Sequence, residues 1–67
     1  MPVIRIDMME GRTQDQKRMI VKEITETMTR VVGTEPEDVR IIIIDHPMDN
    51  LAAAGLLLID DPTRKHP

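Results

Sequence analysis

The sequence VRIIII at residues 39–44 decides how this chain folds. A half-exposed strand alternates apolar and polar residues, whereas the four isoleucines that follow Arg40 leave no polar face. Such a run is typical of an inner strand that is covered on both sides. Because one helix can cover only one face of a sheet, the run predicts that another chain covers the second face.

The residues before this run predict a strand and then a helix. Residues 2–9 alternate, with Ile4, Ile6 and Met8 on one side, which is the period of a strand with one face on a core. Gly11 then ends the pattern. Thr13 and Gln16 form a capping box, so a helix is expected to begin there.

The predicted helix runs from about Gln14 to Val32. Apolar residues at spacings of 4, 4 and 3 form one stripe along it, at Ile20, Ile24, Met28 and Val31. Gly33 stands where a left-handed closing residue is needed. Charged residues including Lys17 are expected to face water, and residues 34–38 are expected to be a connection.

Together these elements predict an α+β fold with a single βαβ unit, in one domain over residues 1–67. The two strands are expected to be parallel, with a second strand at residues 39–44 and a right-handed crossover between them. Residues 45–50 are expected to be a polar turn, and Leu56–Ile59 a short carboxyl-terminal strand or arm. The tail from Asp60 onward is expected to order only against a partner chain.

The small size of the chain predicts an oligomer. A chain of 67 residues hides only about 60% of its unfolded surface, and two strands alone make no stable sheet. Cysteine is absent, which excludes a disulfide, and His46 and His66 lie too far apart in sequence for an ordinary zinc site. Oligomerisation remains as the means of stabilisation. Sheets of two chains are expected to join edge to edge and then pack face to face.

Composition argues against several classes of partner. The net charge is −3 and aromatic residues are absent, which argues against binding to nucleic acid. No apolar run approaches the ~20 residues that span a bilayer, and the start of the chain does not resemble a signal peptide. We therefore expect no membrane partner and a cytoplasmic protein.

Three residues are candidates for chemistry. If Met1 is removed, Pro2 carries a free secondary amine that can act as a base or nucleophile; otherwise it simply begins a strand. Arg40 interrupts an apolar strand, where it either faces solvent or pairs with a carboxylate, or else binds a substrate carboxylate or carbonyl oxygen. Arg12 follows Gly11 in the loop after the first strand, where the simplest interpretation is a solvated arginine near the start of a helix.

Asp45 and His46 are a weaker candidate pair. They are adjacent in sequence, so in an extended chain their side chains point to opposite faces. We interpret them as turn residues beside Pro47.

The order and spacing of these motifs resemble the 4-oxalocrotonate tautomerase family over nearly the whole chain. The matching features are Met1-Pro2, the strand ending in Glu10-Gly11-Arg12, the helix start Thr13-x-x-Gln16-Lys17, and Val39-Arg40-Ile41-Ile42. The resemblance implies an isomerase that moves a proton within a small 2-hydroxydienoate or 2-oxo acid, such as 2-hydroxymuconate from the degradation of aromatic compounds.

The resemblance also implies the site. Pro2, after loss of Met1, is the expected general base, and Arg12 and Arg40, supplied by different subunits, are expected to bind the carboxylates and carbonyl oxygen of the substrate. An apolar site and the two arginines lower the pKa of such an amine toward neutrality. The implied assembly is a homohexamer, built as a trimer of dimers, and no cofactor or metal is needed.

One expected pocket residue departs from the family pattern. Leu51 stands where members of this size usually carry an aromatic residue, and alanines follow it. Leucine keeps the position apolar but changes its shape, so the substrate is open. Two alternatives follow: a non-catalytic oligomeric scaffold, and one subunit of a heterohexameric enzyme.

Overall fold

The computed structural model describes residues 1–63. The end of the predicted tail, residues 64–67, lies outside the described residues. The regular elements are strand β1 (Val3–Met9), helix α1 (Gln14–Val32), strand β2 (Arg40–His46), strand β3 (Ala52–Ala53) and strand β4 (Leu56–Leu57). Short 3₁₀ turns occupy Pro36–Asp38, Met48–Asn50 and Leu58–Asp60.

β1 and β2 form a parallel pair joined by α1, which confirms the predicted βαβ unit. Val3 lies opposite Arg40 and Met9 lies opposite His46. The Glu10 N–H donates to the His46 carbonyl oxygen at 2.9 Å, which continues the backbone pairing past the end of β1. The α+β fold class is therefore confirmed.

α1 begins and ends where its caps predict. The Thr13 hydroxyl accepts from the Gln16 N–H at 3.1 Å, and the Gln16 side-chain oxygen accepts from the Thr13 N–H at 2.9 Å. At the other end Gly33 has φ 81°, and its N–H donates to the Thr29 carbonyl oxygen at 3.1 Å. Glycine adopts this left-handed conformation without strain, so the helix stops there.

One face of the sheet packs against α1. The half-buried side chains of this layer are Ile4, Ile6, Met8, Ile20, Ile24, Met28, Ile41 and Ile43. Val31, predicted on the same stripe, is 71% exposed.

Lys17, predicted to face water, is half-buried, and its ammonium donates to the Asp45 carboxylate. The long stem of Lys17 lets it cover apolar surface while its charge finds a partner.

The second strand extends further than predicted. Residues Asp45 and His46, interpreted as turn formers, are the last two residues of β2. They pair in register with Met8 and Met9, so the ladder continues until β1 ends. Polar composition suggested a turn, but the backbone pairing and the bonds made by both side chains keep the residues extended.

The carboxyl-terminal segment forms a hairpin. β3 and β4 are antiparallel, which confirms a short strand after Gly55 and adds the partner strand Ala52–Ala53 that the sequence analysis did not predict. The Leu58 N–H donates to the Leu51 carbonyl oxygen at 2.8 Å and closes the segment. Met48 and Leu58, 4% and 8% exposed, are the buried apolar residues of the described chain.

Candidate active site

Pro2 lies at the end of the sheet where both strands begin. It is half-buried, and its carbonyl oxygen accepts from the Arg40 N–H at 3.0 Å. This bond fixes the backbone of Pro2 beside the first residue of β2. Met1 precedes it and is 73% exposed, so in this form of the chain the Pro2 nitrogen is an amide.

The backbone of Arg40 is hydrogen-bonded to that of Pro2, but the Arg40 side chain lies on the other face of the sheet. Arg40 pairs with Val3 and shares the face of the sheet opposite α1 with Ile42, which is 48% exposed. We call this uncovered surface the open face. Because successive residues of a strand alternate, Pro2 is directed away from the face that carries Val3. The Arg40 guanidinium therefore faces away from the Pro2 ring of its own chain.

Arg12 lies at the opposite end of the sheet from Pro2. At ~3.3 Å per residue, Pro2 and Met9 are separated by about 23 Å, and Arg12 follows beyond Met9. Gly11, with φ 107°, turns the chain toward α1 between them. An arginine side chain cannot bridge that gap, so a single chain does not bring Arg12 to Pro2.

Leu51 is positioned by the carboxyl-terminal hairpin. It follows the 3₁₀ turn Met48–Asn50, is half-buried, and is tied to Leu58 through its carbonyl oxygen. The backbone of Leu51 is therefore held by the hairpin rather than by a free loop.

The structure adds a polar network that the sequence analysis missed. His46 Nε2 lies 2.7 Å from Asp7 Oδ1, and the Arg5 fork reaches the same carboxylate at 3.2 and 3.3 Å. The hydrogen bonds from Arg5, and then that from His46, hold the pKa of Asp7 below its ordinary value. The predicted second strand ends at Ile44, whereas β2 continues to His46, and only that extension brings His46 beside Asp7.

Asp45 and His46 do diverge, as their adjacency predicted. Asp45 lies on the α1 side and binds Lys17, whereas His46 lies on the open face and contacts Asp7. They are not an acid–base pair with each other. His46 has Asp7 as its carboxylate partner instead.

The groove found in the single chain lies away from Pro2. An open groove of about 490 Å³ runs along α1 between Val21 and Arg30 and reaches Pro36, and it includes none of the candidate residues. Within residues 1–63, no group of three His, Asp or Glu side chains could hold a metal ion. None of the helices in that range is long and apolar enough to cross a membrane.

Comparison with protein families and curated proteins gives a consistent result. A family model described as "Tautomerase enzyme" matches residues 2–61. A probable tautomerase from Streptococcus pneumoniae is 47% identical over 47 residues, which cover 70% of this chain and 78% of the relative. The 2-hydroxymuconate tautomerase of Bacillus subtilis is 37% identical over 60 residues, which cover 90% of this chain and 97% of the relative.

Solved structures give the same match. The crystal structure of YwhB, a homologue of 4-oxalocrotonate tautomerase, has a TM-score of 0.85 at 35% identity and covers 90% of this chain and 98% of its own. A heterohexamer 4-oxalocrotonate tautomerase from Chloroflexus aurantiacus has a TM-score of 0.85 at 25% identity and covers 90% of this chain and 97% of its own.

Proposed function

This chain belongs to the tautomerase family and is an enzyme of that class, an isomerase; from that premise we propose that it moves a proton within a small 2-hydroxydienoate or 2-oxo acid, with Pro2 as general base. The observation that carries the proposal is the 3.0 Å bond between the Arg40 N–H and the Pro2 carbonyl oxygen. The bond holds the amino terminus at the end of the sheet where both strands begin. A general base needs such a fixed position.

The chemistry needs only the loss of Met1. Pro2 then has a secondary amine, and an α-amine ordinarily titrates near pH 8. Apolar surroundings and neighbouring arginines lower the pKa of an amine, so a base active near neutrality is expected. The amine takes the proton of the substrate's 2-hydroxyl group, the conjugated electrons shift toward a carbon of the diene, and the ammonium formed at Pro2 returns the proton to that carbon. An arginine stabilises the charge on the oxygen.

The two arginines act from other copies of the chain in this proposal. Arg12 is at the far end of the sheet from Pro2, and the Arg40 guanidinium is on the face away from it. Both can approach a given Pro2 only if copies of the chain assemble. The proposal therefore includes a homo-oligomer, and a hexamer is the expected size. The carboxylates of a small substrate supply the charges that these arginines would bind.

The first substrate to test is 2-hydroxymuconate. The B. subtilis relative is named for it, and that protein matches nearly the whole of this chain. A role in breaking down aromatic compounds belongs to the same proposal. Leu51 in place of an aromatic residue favours testing a second enol, phenylenolpyruvate, whose apolar end differs.

The experiment compares the processed chain with two forms that lack the proline amine. Intact mass first establishes that Met1 is absent from the purified protein. Pro2→Ala and a chain that retains Met1 are each expected to lower kcat/KM by about 10²-fold or more, because a positioned general base contributes that much. Pro62→Ala, at an exposed proline, is the matched control and is expected to keep full activity. If neither change at the amino terminus lowers activity, Pro2 is not the base.

The alternative of a mixed assembly has one specific support. The C. aurantiacus structure that this chain resembles is a heterohexamer. Light scattering on the purified chain, with the activity assay on the same sample, distinguishes a homo-oligomer from a mixed assembly. A hexamer that is active without another protein favours the homo-oligomer; an inactive chain of smaller size favours the mixed assembly.

A further inference from the structure

The loop between β1 and α1, residues 10–13, is held at both ends by backbone hydrogen bonds. We call it the connecting loop. At one end the Glu10 N–H donates to the His46 carbonyl oxygen at 2.9 Å. At the other end the Thr13 carbonyl oxygen accepts from the Lys17 N–H at 3.1 Å. The loop is therefore fixed to the last residue of β2 and to the first turns of α1.

A salt bridge joins these same two supports. The Lys17 ammonium lies 2.5 Å from an oxygen of Asp45, the residue before His46 in β2. The two side chains are 21% and 39% exposed, whereas those of Arg18 and Asp15, which pair on the surface of the same helix, are 70% and 93% exposed. Because Lys17 holds one end of the connecting loop and His46 the other, the salt bridge closes a ring around the loop.

Arg12, within this loop, needs such support because it follows a glycine. Gly11 has φ 107°, and glycine loses more conformational freedom than any other residue when its backbone is fixed. Arg12 itself is exposed, and its guanidinium makes no hydrogen bond or ion pair with another group of residues 1–63. The loop is therefore held by the bonds at its two ends and by the salt bridge that joins their supports.

We propose that Lys17 and Asp45 are positioning residues for Arg12: their salt bridge keeps the connecting loop in place, so that Arg12 meets a substrate carboxylate with its backbone already ordered. This inference rests on the proposed function, in which Arg12 binds substrate. Ordering a loop when a ligand binds costs free energy, and a loop that is ordered beforehand avoids that cost. The ring lies within one chain, so it does not depend on how copies of the chain are arranged.

The alternative is that the salt bridge only stabilises the fold by fastening α1 to β2. Its loss would then lower the free energy of unfolding, and any effect on activity would not depend on Arg12. A positioning role instead weakens substrate binding and has no further effect once Arg12 is absent. The two roles therefore differ in KM and in their dependence on Arg12.

Lys17→Met tests the positioning role with little change in packing, because methionine keeps the apolar stem and lacks the ammonium. We expect the KM for 2-hydroxymuconate to rise about 3- to 10-fold, since the loop must then be ordered on binding. The kcat should change little, because a bond to a carboxylate that does not react contributes equally to binding of the substrate and of the transition state. Asp45→Asn should have the same effect.

Two further variants serve as controls. Arg18→Met removes one positive charge from the next position of α1, so it matches the change in net charge, and it should keep the wild-type KM. Lys17→Arg retains a cation that can reach Asp45, and it should also keep the wild-type KM. Light scattering checks that each variant has the wild-type size.

A double-mutant cycle connects the effect to Arg12. Arg12→Ala should itself raise KM, and in that background Lys17→Met should change KM no further, since no arginine remains to be positioned. Amide hydrogen exchange gives a second readout that needs no substrate. The Glu10 and Thr13 amides should exchange faster in Lys17→Met than in Arg18→Met, because the salt bridge no longer restrains the connecting loop.

The outcomes separate this inference from the proposed function. The positioning role is overturned if Lys17→Met keeps the wild-type KM, if it raises KM equally with and without Arg12, or if exchange at Glu10 and Thr13 is unchanged. In each of these cases the proposed function stands as long as Pro2→Ala loses activity. If the wild-type chain turns over no 2-hydroxydienoate, the proposed function fails and the positioning role fails with it.

Discussion

Arg40 is the residue whose surroundings most favour a functional role. It is exposed at the first position of β2, and no bond from its guanidinium to another group occurs within the described part of the chain. An arginine in a strand of isoleucines contributes nothing to an apolar core. Arg18 shows the contrast, because its side chain is paired with Asp15 at 2.7 Å on the surface of α1.

Replacing Arg40 should therefore affect turnover far more than stability. We expect Arg40→Ala to lower kcat/KM by about 10²- to 10³-fold, as loss of a group that stabilises an oxyanion does. The free energy of unfolding should change by no more than about 0.5 kcal/mol. Steady-state kinetics and urea unfolding at one protein concentration give the two values. Arg18→Ala should leave both unchanged, and a large loss of stability in Arg40→Ala would contradict a site role.

Asp7 should make the stability of the protein depend on acid pH. Its pKa is lowered from 3.8 in the folded chain, mainly by Arg5 and then by His46. A carboxyl group with a lowered folded pKa contributes stability that is present above its unfolded pKa and is lost as the pH falls through the folded one. The difference in Tm between the wild type and Asp7→Asn should therefore shrink as the pH is lowered from 6 toward 2. A difference that stays constant would contradict this role of the carboxylate.

At the scale of elements, α1 was predictable because its signals are local. The capping box and Gly33 act on neighbouring backbone groups, so sequence alone gives both ends of the helix. The end of β2 was not predictable in the same way. Asp45 and His46 remain extended because β1 and α1 supply their partners, and the sequence near them gives no sign of that pairing. The hairpin partner Ala52–Ala53 was missed because alanine has little strand preference.

The cap of α1 should have a measurable effect on stability. Thr13→Ala removes the hydroxyl that accepts from Gln16 and should lower the free energy of unfolding by about 1 kcal/mol. Thr27→Ala is the matched control, since this threonine is exposed in the helix interior and alanine is the better helix former there. Urea unfolding at a fixed protein concentration tests the pair. Equal effects of the two substitutions would show that the cap contributes nothing specific.

The turn between β3 and β4 contains a strained alanine. Ala54 has φ 53° and Gly55 has φ 79°, so both central residues of this two-residue hairpin turn have positive φ. Asparagine tolerates that conformation better than alanine, and Asn-Gly is the preferred pair for such turns. Ala54→Asn should raise the free energy of unfolding by roughly 0.5–1 kcal/mol. Ala53→Asn, within β3, should not be stabilising, and an equal gain at both positions would contradict the strain argument.

At the scale of the molecule, the isolated chain is too open to be a complete structure. Its radius of gyration is 14.9 Å, whereas a compact domain of this length has about 11 Å. It exposes 5042 Å² of surface, against about 4,300 Å² for a compact protein of 7.7 kDa. Apolar side chains of the open face and of the carboxyl-terminal segment are exposed to solvent, at Val3, Ile42, Leu56, Leu57 and Ile59.

The isoleucine run indicated that a second chain is needed to cover the sheet. It could not indicate how the copies of the chain are arranged. The contacts that would bring Arg12 of one copy to Pro2 of another lie between chains. They can be read neither from the sequence nor from the structure of a single chain. The site residues could be nominated from their types and spacing, whereas the spatial link between them depends on the assembly. That another chain covers the open face stays a prediction.

Ile42 offers the sharpest test of that prediction. It is 48% exposed in the single chain, in the middle of β2 on the open face. If another copy covers it, Ile42→Asp places an unpaired carboxylate in an apolar interface, which costs several kcal/mol and should weaken assembly by at least ~100-fold. Ile42→Val keeps the surface apolar and should assemble as the wild type does. Light scattering over a range of concentrations measures both, and a stable wild-type monomer, or an Ile42→Asp variant of unchanged size, would contradict an interface on the open face.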